Sequence, residues 1–150
     1  MKYISTRGQA PSTDFAGACL AGLAPDGGLY VPETFPQIAP PAKGETYHEV
    51  AARILSAFAG DAIPADDMKV LCQRAYANFS HQCVAPLTQW RPDAWLMELH
   101  HGPTLAFKDV AMQIIAQIYD YLLGKSGERM MITCATSGDT GGAAAAAFAG

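Results

Sequence analysis

The residue of this sequence with the clearest chemical potential is Lys108, which lies in the first turn of a predicted helix. Its neighbours Phe107 and Val110 are apolar. An ammonium group is disfavoured at the positive end of a helix dipole, and desolvation there favours the neutral amine that a Schiff base requires. The alternative is a lysine whose ammonium reaches solvent, and the local pattern by itself favours that alternative.

A second candidate is the loop at residues 136–142, where small residues and hydroxyls separate an apolar segment from an alanine-rich one. Backbone N–H groups at the start of a helix can bind a carboxylate or a phosphate. The loop is not a P-loop, because the lysine of that motif is absent, and it is not a G-x-G-x-x-G loop. The alternative is an ordinary turn in which Asp139 or Thr140 is the N-cap. Asp139 also restricts the ligand, since its charge disfavours a second negative charge nearby.

The elements around these two loops alternate between strand and helix. We predict strands at Trp95–Leu99 and Met130–Cys134, the second buried on both faces, and helices from about Ala106 to Gly124 and over Ala143–Ala149. This order is typical of an open α/β sheet, in which ligands bind beside the carboxyl ends of the strands. If the two strands are neighbours, the amine of Lys108 faces the anion-binding loop.

The first half of the chain predicts a small mixed unit without a cluster of catalytic residue types. Short strands are expected at residues 2–6 and 29–31, with a proline-rich loop at residues 35–44. Ser12 or Thr13 is the expected N-cap of a first helix. A capping box at Thr46–Glu49 starts the next helix, Gly60 ends it, and a further helix begins near Ala65.

Charge and hydropathy exclude several classes of partner. The chain has 150 residues, half of them hydrophobic, which suffices for a buried core. Its net charge is −4, and its ten lysines and arginines do not cluster, so nucleic acid is not an expected partner. No apolar run approaches the roughly 18–20 residues of a membrane span, and the N-terminus does not resemble a signal peptide. The expected location is therefore the cytoplasm, without membrane association.

The cysteines and histidines do not suggest a metal site. The four cysteines form no C-x-x-C pair, so we expect reduced and mostly buried thiols. His100 and His101 are adjacent, and adjacent residues of a strand point to opposite faces, which makes a poor chelate. Whether these histidines or Arg7 contact a ligand is left open. A loop hydrogen bond is favoured for His101, and a surface or structural ion pair for Arg7.

Three segments of the sequence resemble the threonine synthase family. His101–Asp109 closely resembles the segment that contains the cofactor lysine, and Ala135–Gly141 resembles the substrate loop of the same family. The N-terminal segments Tyr3–Gly8 and Gly22–Pro32 resemble its N-terminal domain. The resemblance extends from residue 3 to the end of the chain.

The resemblance implies an enzyme dependent on pyridoxal 5′-phosphate (PLP). Threonine synthases convert O-phospho-L-homoserine and water to L-threonine and phosphate. Lys108 would carry PLP as a Schiff base and later move protons, and Phe107 would line the cofactor pocket. The substrate carboxylate, near the phenolic oxygen of the cofactor, would be held by Ser137, Gly138, Asp139 and Thr140. The wider fold group commonly has asparagine at the position of Asp139, so this residue departs from the common pattern.

The expected fold class is α/β. A small N-terminal mixed α+β domain at residues 1–82 would be followed, at residues 83–150, by the start of a PLP-dependent open α/β domain of the tryptophan synthase β-like group, fold type II. In this family the loop that binds the PLP phosphate and the partner of the pyridine nitrogen come later in the chain. Residues 1–150 are therefore expected to be an incomplete, inactive portion.

Three alternatives to a threonine synthase remain. The first is a non-catalytic threonine-synthase-like protein that binds PLP or a phospho-amino acid. The second is another PLP lyase, similar to threonine dehydratase, which the N-terminal segments argue against. The third is a plain interaction module formed by residues 1–80.

Overall fold

The computed structural model describes residues 1–149, which form two compact units. The first unit holds residues 1–45 and 49–70, and the second holds residues 46–48 and the chain from residue 71 onward. The strands are β1 (Tyr3–Ser5), β2 (Tyr30–Pro32), β3 (Leu87–Arg91) and β4 (Ala94–Met97). The helices are α1 (Phe15–Ala21), α2 (Tyr47–Ala59), α3 (Ala65–Tyr76), α4 (Asp109–Ser126) and α5 (Asp139–Phe148), and a short 3-10 turn spans Gly60–Ala62. The domain boundary expected after residue 82 stays a prediction.

The first unit contains the predicted pair of short strands. β1 and β2 are antiparallel, with Tyr3 opposite Pro32, so the second strand continues through the proline expected to end it. The N-cap of α1 is Asp14, whose carboxylate accepts a hydrogen bond from the Gly17 N–H at 2.8 Å. The prediction of Ser12 or Thr13 was wrong. The backbone of Thr13 forms a bridge with Tyr3, which sets the start of the helix one residue later.

The helices of the first unit follow the predicted pattern. α2 begins directly after Thr46 and ends at Ala59, and α3 begins at Ala65, as expected. Ile63 and Met68 are completely buried. The proline-rich segment before α2 is a loop, and Arg53 of α2 holds it by an ion pair to Glu45, with Nε and Oε1 3.0 Å apart, and by a bond to the Ala39 carbonyl.

One carboxylate organises the turns of the first unit. Asp26 accepts four hydrogen bonds, at 2.7–3.0 Å, from the hydroxyl of Ser5 and from the N–H groups of Gln9, Ala10 and Gly28. Led by the Ser5 hydroxyl, these bonds lower the pKa of Asp26 to about 2. The guanidinium of Arg7 donates to the backbone carbonyl of Asp26 at 2.9 Å, so its contact here is structural.

The second unit differs from the predicted parallel sheet. The strand expected at residues 95–99 is β4, but it pairs antiparallel with β3, with Leu87 opposite Met97. The two strands are joined by Pro92 and Asp93, and so short a connection permits only antiparallel pairing. The described residues therefore form a mixed α/β arrangement in which no open parallel sheet is present.

The predicted buried strand at Met130–Cys134 was wrong. These residues form no ladder and are exposed, Met131 by 89%. A strand requires a neighbouring strand for its N–H and C=O groups, and the described part of the chain places none beside this segment.

The expectation of mostly buried cysteines was also wrong, because Cys83 and Cys134 are exposed and only Cys72 is fully buried.

Among the described residues of the second unit, helix α4 contributes more buried side chains to the core than any other element. Ile114, Ile118 and Leu122 are buried at the spacing of one helix face. α4 begins three residues after the predicted start and continues past Gly124 to Ser126. α5 begins at Asp139, four residues before its predicted start. Within residues 1–149, no helix is both long and apolar enough to cross a membrane.

The hydrogen bonds of Asp26 predict a specific acid sensitivity. The pKa of Asp26 is 3.8 in the unfolded chain and about 2 in the folded one. The ionised carboxylate therefore stabilises the fold fully above pH 3.8, and this contribution is lost as the pH falls toward 2. D26N removes this part of the pH dependence and lowers the urea midpoint at neutral pH. Far-UV circular dichroism during urea titrations measures both effects. D61N, at an exposed aspartate of the same unit, is the control. An unchanged acid dependence in D26N would contradict the assignment.

Candidate functional site

The turn before α4 is fixed by a buried carboxylate. The side chain of Asp109 is completely buried, and Thr104 donates to it twice, from its N–H at 2.7 Å and from its hydroxyl at 2.8 Å. Asp109 is the first residue of α4, where the helix dipole favours a negative charge. The Tyr76 hydroxyl donates to the Val110 carbonyl at 3.3 Å and anchors the same helical turn to α3. The direction in which the chain enters α4 is therefore determined by side-chain hydrogen bonds.

The same turn depends on two unusual backbone positions. A Cβ atom at Gly102 would lie 2.4 Å from Cβ of Asp109, so only glycine permits this close approach. Leu105 has a φ of 63°, a left-handed conformation that costs a non-glycine residue roughly 1 kcal/mol or more. Its side chain is exposed, so packing does not explain the conformation. The hydrogen bonds of Asp109 hold the turn on both sides of this strained residue.

Lys108 directly precedes α4, in the turn that Asp109 holds. Of the five lysines of the chain, it alone is not exposed, and 29% of its side chain is accessible. Its Nζ lies 5.1 Å from the centre of the Phe107 ring. Its Nζ also lies 3.9 Å from Oδ2 of Asp139 at the start of α5. The structure therefore brings together three of the predicted site residues.

The remaining predicted residues form the turn into α5. Ser137 and Gly138 are exposed, and Thr140 lies in the first turn of the helix. The turn is capped by Thr136, whose hydroxyl accepts hydrogen bonds from Gly138 N–H at 3.1 Å and from Gly141 N–H at 3.3 Å. The cap expected at Asp139 or Thr140 was wrong, since Asp139 is already helical.

The capped turn leaves donors available for a ligand. The first N–H groups of a helix have no acceptor within the helix, and those of Asp139 and Thr140 are of this kind. A Cβ atom at Gly141 would lie 2.4 Å from Cγ2 of Thr136, so the cap itself requires glycine there. The hydroxyls of Ser137 and Thr140 add two further hydrogen-bonding groups. The arrangement can bind a small anion next to the amine of Lys108.

His100 and His101 come directly before the turn that contains Lys108. His101 Nε2 is 2.8 Å from Oε2 of Glu98, and His101 also contacts the Ser80 hydroxyl, in agreement with the expected loop hydrogen bond. The expectation that His100 and His101 point to opposite faces was wrong. Both residues follow the end of β4, and their rings lie 4.5 Å apart. Hydrogen bonds from the Thr88 hydroxyl and His101 lower the pKa of Glu98.

Comparison with known proteins identifies the family. Residues 2–76 match the family described as "Threonine synthase N terminus". The chain belongs to the threonine synthase family. The threonine synthase of Pseudomonas aeruginosa is 49% identical over 148 residues, which are 96% of this chain and 32% of that protein.

Solved threonine synthases have the same fold as this chain. The crystal structure described as PLP-bound threonine synthase from Brucella melitensis superposes with a TM-score of 0.93 at 52% identity, over 99% of this chain and 33% of that one. The human protein "Threonine synthase-like 2" is 38% identical over 96% of this chain and 31% of its own length. The chain thus spans about a third of the length of these relatives.

Sequence reasoning missed the residues that position Lys108. The sequence predicted no structural role for Asp109, Thr104 or Gly102 beyond their place in the segment that resembles the cofactor-lysine segment. A signal was present, because a threonine and an aspartate five residues apart flank the lysine in a segment that is otherwise mostly apolar. The burial of Asp109, which makes the pair important, is visible only in the structure.

The hydrogen bonds of Asp109 predict the effect of T104V. Valine keeps the shape of threonine but removes the hydroxyl donor, which leaves one oxygen of a buried carboxylate without its partner. We expect a loss of about 1–3 kcal/mol in the free energy of unfolding. The control is T133V at an exposed threonine, which should change stability by less than about 0.5 kcal/mol. Equal urea midpoints for the two variants would contradict the role given to Thr104.

Proposed function

We propose that this chain is the portion of a threonine synthase that contains the cofactor lysine, and that the reaction it serves converts O-phospho-L-homoserine and water to L-threonine and phosphate. The observation that carries the proposal is the environment of Lys108. This is the one lysine of the chain that is partly buried, and a buried carboxylate fixes the turn that presents it. Threonine synthases that align with nearly the whole of this chain support the same assignment.

The residues around Lys108 fit PLP. A relative of known structure is described as PLP-bound. In this chain an amine that remains accessible lies between an aromatic ring and a turn rich in small residues. Lys108 would hold the cofactor, Phe107 would line its pocket, and Asp139 would contact it from the start of α5. When bound, PLP supplies an electron sink that stabilises carbanions next to the amino group of the substrate.

Lys108 can serve as both an attachment point and a proton carrier. Lys108 would hold the cofactor, and its Nζ, when it is not engaged in that bond, would be placed to accept and return protons. The contact with Asp139, 3.9 Å away, keeps Nζ directed toward the start of α5. The proposed proton carrier would thereby lie close to the turn proposed to bind the substrate carboxylate.

The turn into α5 is suited to a substrate carboxylate. The N–H groups of Asp139 and Thr140 and the hydroxyls of Ser137 and Thr140 can donate to it. The carboxylate of Asp139 is exposed and its Oδ2 lies 3.9 Å from Nζ of Lys108, so it is directed at the lysine and need not lie against a bound substrate carboxylate. Asparagine at this position would keep the shape and lose the attraction for Lys108.

Covalent trapping tests the cofactor assignment. The test uses a chimera in which this chain replaces the matching third of the P. aeruginosa threonine synthase, because the loop that binds the PLP phosphate is expected outside residues 1–150. After incubation with PLP and reduction with borohydride, peptide mass spectrometry should find the pyridoxyl group mainly on the peptide that contains Lys108. K108R should lose that adduct, whereas K125R, at an exposed lysine of α4, should retain it. An adduct spread evenly over the other lysines, with none enriched at Lys108, would contradict the assignment.

A chimera tests the reaction. This chain would replace the matching third of the P. aeruginosa threonine synthase, to which it is 49% identical. The chimera should release phosphate from O-phospho-L-homoserine, and K108A in the chimera should lower the rate by at least about 10²-fold. The 150-residue chain alone should release none.

The chimera also separates the enzyme from its non-catalytic alternative. A folded chimera that is trapped by PLP at Lys108 but releases no phosphate would favour a binding protein, a possibility raised by the 38% identity to "Threonine synthase-like 2". Threonine formation by the 150-residue chain alone, abolished by K108A, would show that the expectation of an incomplete portion is wrong.

A further inference from the structure

Three side chains with metal-binding atoms converge between β4 and the turn that contains Lys108. They are Glu98, His100 and His101, and one ligand atom from each lies within 4.8 Å of the others. Oε2 of Glu98 lies 2.8 Å from Nε2 of His101 and 3.9 Å from Nε2 of His100. Both imidazoles therefore direct the same nitrogen toward the same carboxylate oxygen.

Hydrogen bonds from neighbouring residues orient Glu98 and His101 through the side-chain atoms that would not bind the metal. The hydroxyl of Thr88 donates to Oε1 of Glu98, which leaves Oε2 directed at the histidines. The hydroxyl of Ser80 lies 3.3 Å from Nδ1 of His101, which leaves Nε2 as the ligating nitrogen. Such outer hydrogen bonds are characteristic of protein metal sites, because they fix the orientation and tautomer of the ligands.

The distances suit a small tetrahedral ion. Ligand atoms about 2.0–2.1 Å from zinc lie about 3.4 Å from one another in a tetrahedron. The two distances to Oε2 of Glu98 lie on either side of this value. The side chain of His100 is 63% exposed, so it can rotate to close the site, and solvent can occupy the fourth position.

We propose that Glu98, His100 and His101 bind one divalent transition-metal ion, with zinc as the best match. Two imidazoles and one carboxylate favour zinc, cobalt or nickel over magnesium or calcium, which prefer oxygen ligands alone. Adjacent residues of a strand point to opposite faces, which would make this pair a poor chelate. His100 and His101 come after β4 has ended, so that constraint does not apply to them. None of the three ligands is among the residues proposed to hold PLP or the substrate, so the proposal does not depend on the proposed reaction.

Zinc competition with a chromophoric chelator tests the proposal. The measurements use the C83S/C134S chain, since these two exposed thiols could themselves bind zinc. We expect one zinc ion per chain and a dissociation constant raised at least about 10-fold by H100A or E98Q. T88V removes the hydroxyl that bonds to Oε1 of Glu98, the oxygen that does not face the histidines. It should raise the dissociation constant by less than E98Q does. H48A is the control histidine and should leave the affinity unchanged.

Two results would overturn the proposal. The first is the absence of stoichiometric binding at millimolar zinc. The second is an affinity that H100A and E98Q leave unchanged. Because His100 is mostly exposed, H100A should fold normally, and circular dichroism will verify this. Nitrogen-detected histidine NMR supplies an independent readout. Zinc should perturb Nε2 of His100 and His101, and leave the His48 ring unchanged.

Discussion

The buried carboxylate of Asp109 is the interaction on which the candidate site depends. A charge without access to water is tolerated only when hydrogen bonds satisfy it, and both of its oxygens accept from Thr104. Those two bonds close the turn that contains Leu105 and place Lys108 immediately before α4. The amine is thus positioned by residues that need not contact a ligand. Gly102 belongs to the same arrangement, because any larger residue would displace Asp109.

The two turns of the site use the same principle with different chemistry. In each, a threonine side chain bonds to the start of a helix and a glycine admits the close contact. Before α4, Thr104 donates to a carboxylate, whereas before α5 the hydroxyl of Thr136 accepts from two backbone N–H groups. The first turn presents an amine, and the second presents unpaired donors. In the first unit, the carboxylate of Asp26 stabilises several turns at once, because it accepts hydrogen bonds from donors in each of them.

Local signals predicted the helices better than they predicted the sheet. Gly60 and the spacing of Ile114, Ile118 and Leu122 identified helix ends and faces, because these features depend on nearby residues. The proximity of Lys108 and Asp139 was expected on the condition that two parallel strands are neighbours. The two residues are close, although those strands do not form among the described residues. Sheet pairing and the burial of Asp109 depend on residues far apart in the sequence, which no local pattern specifies.

The exposed segment Met130–Cys134 has a consequence for handling the protein. It combines apolar residues with β-branched ones, contains no charge and no proline, and leaves its backbone groups available to other strands. These are the properties that allow chains to add to one another edge to edge and to stack into cross-β assemblies. Self-association of this chain should therefore begin at this segment. A lysine in place of Ile132, which is 45% exposed, would act as a gatekeeper against it.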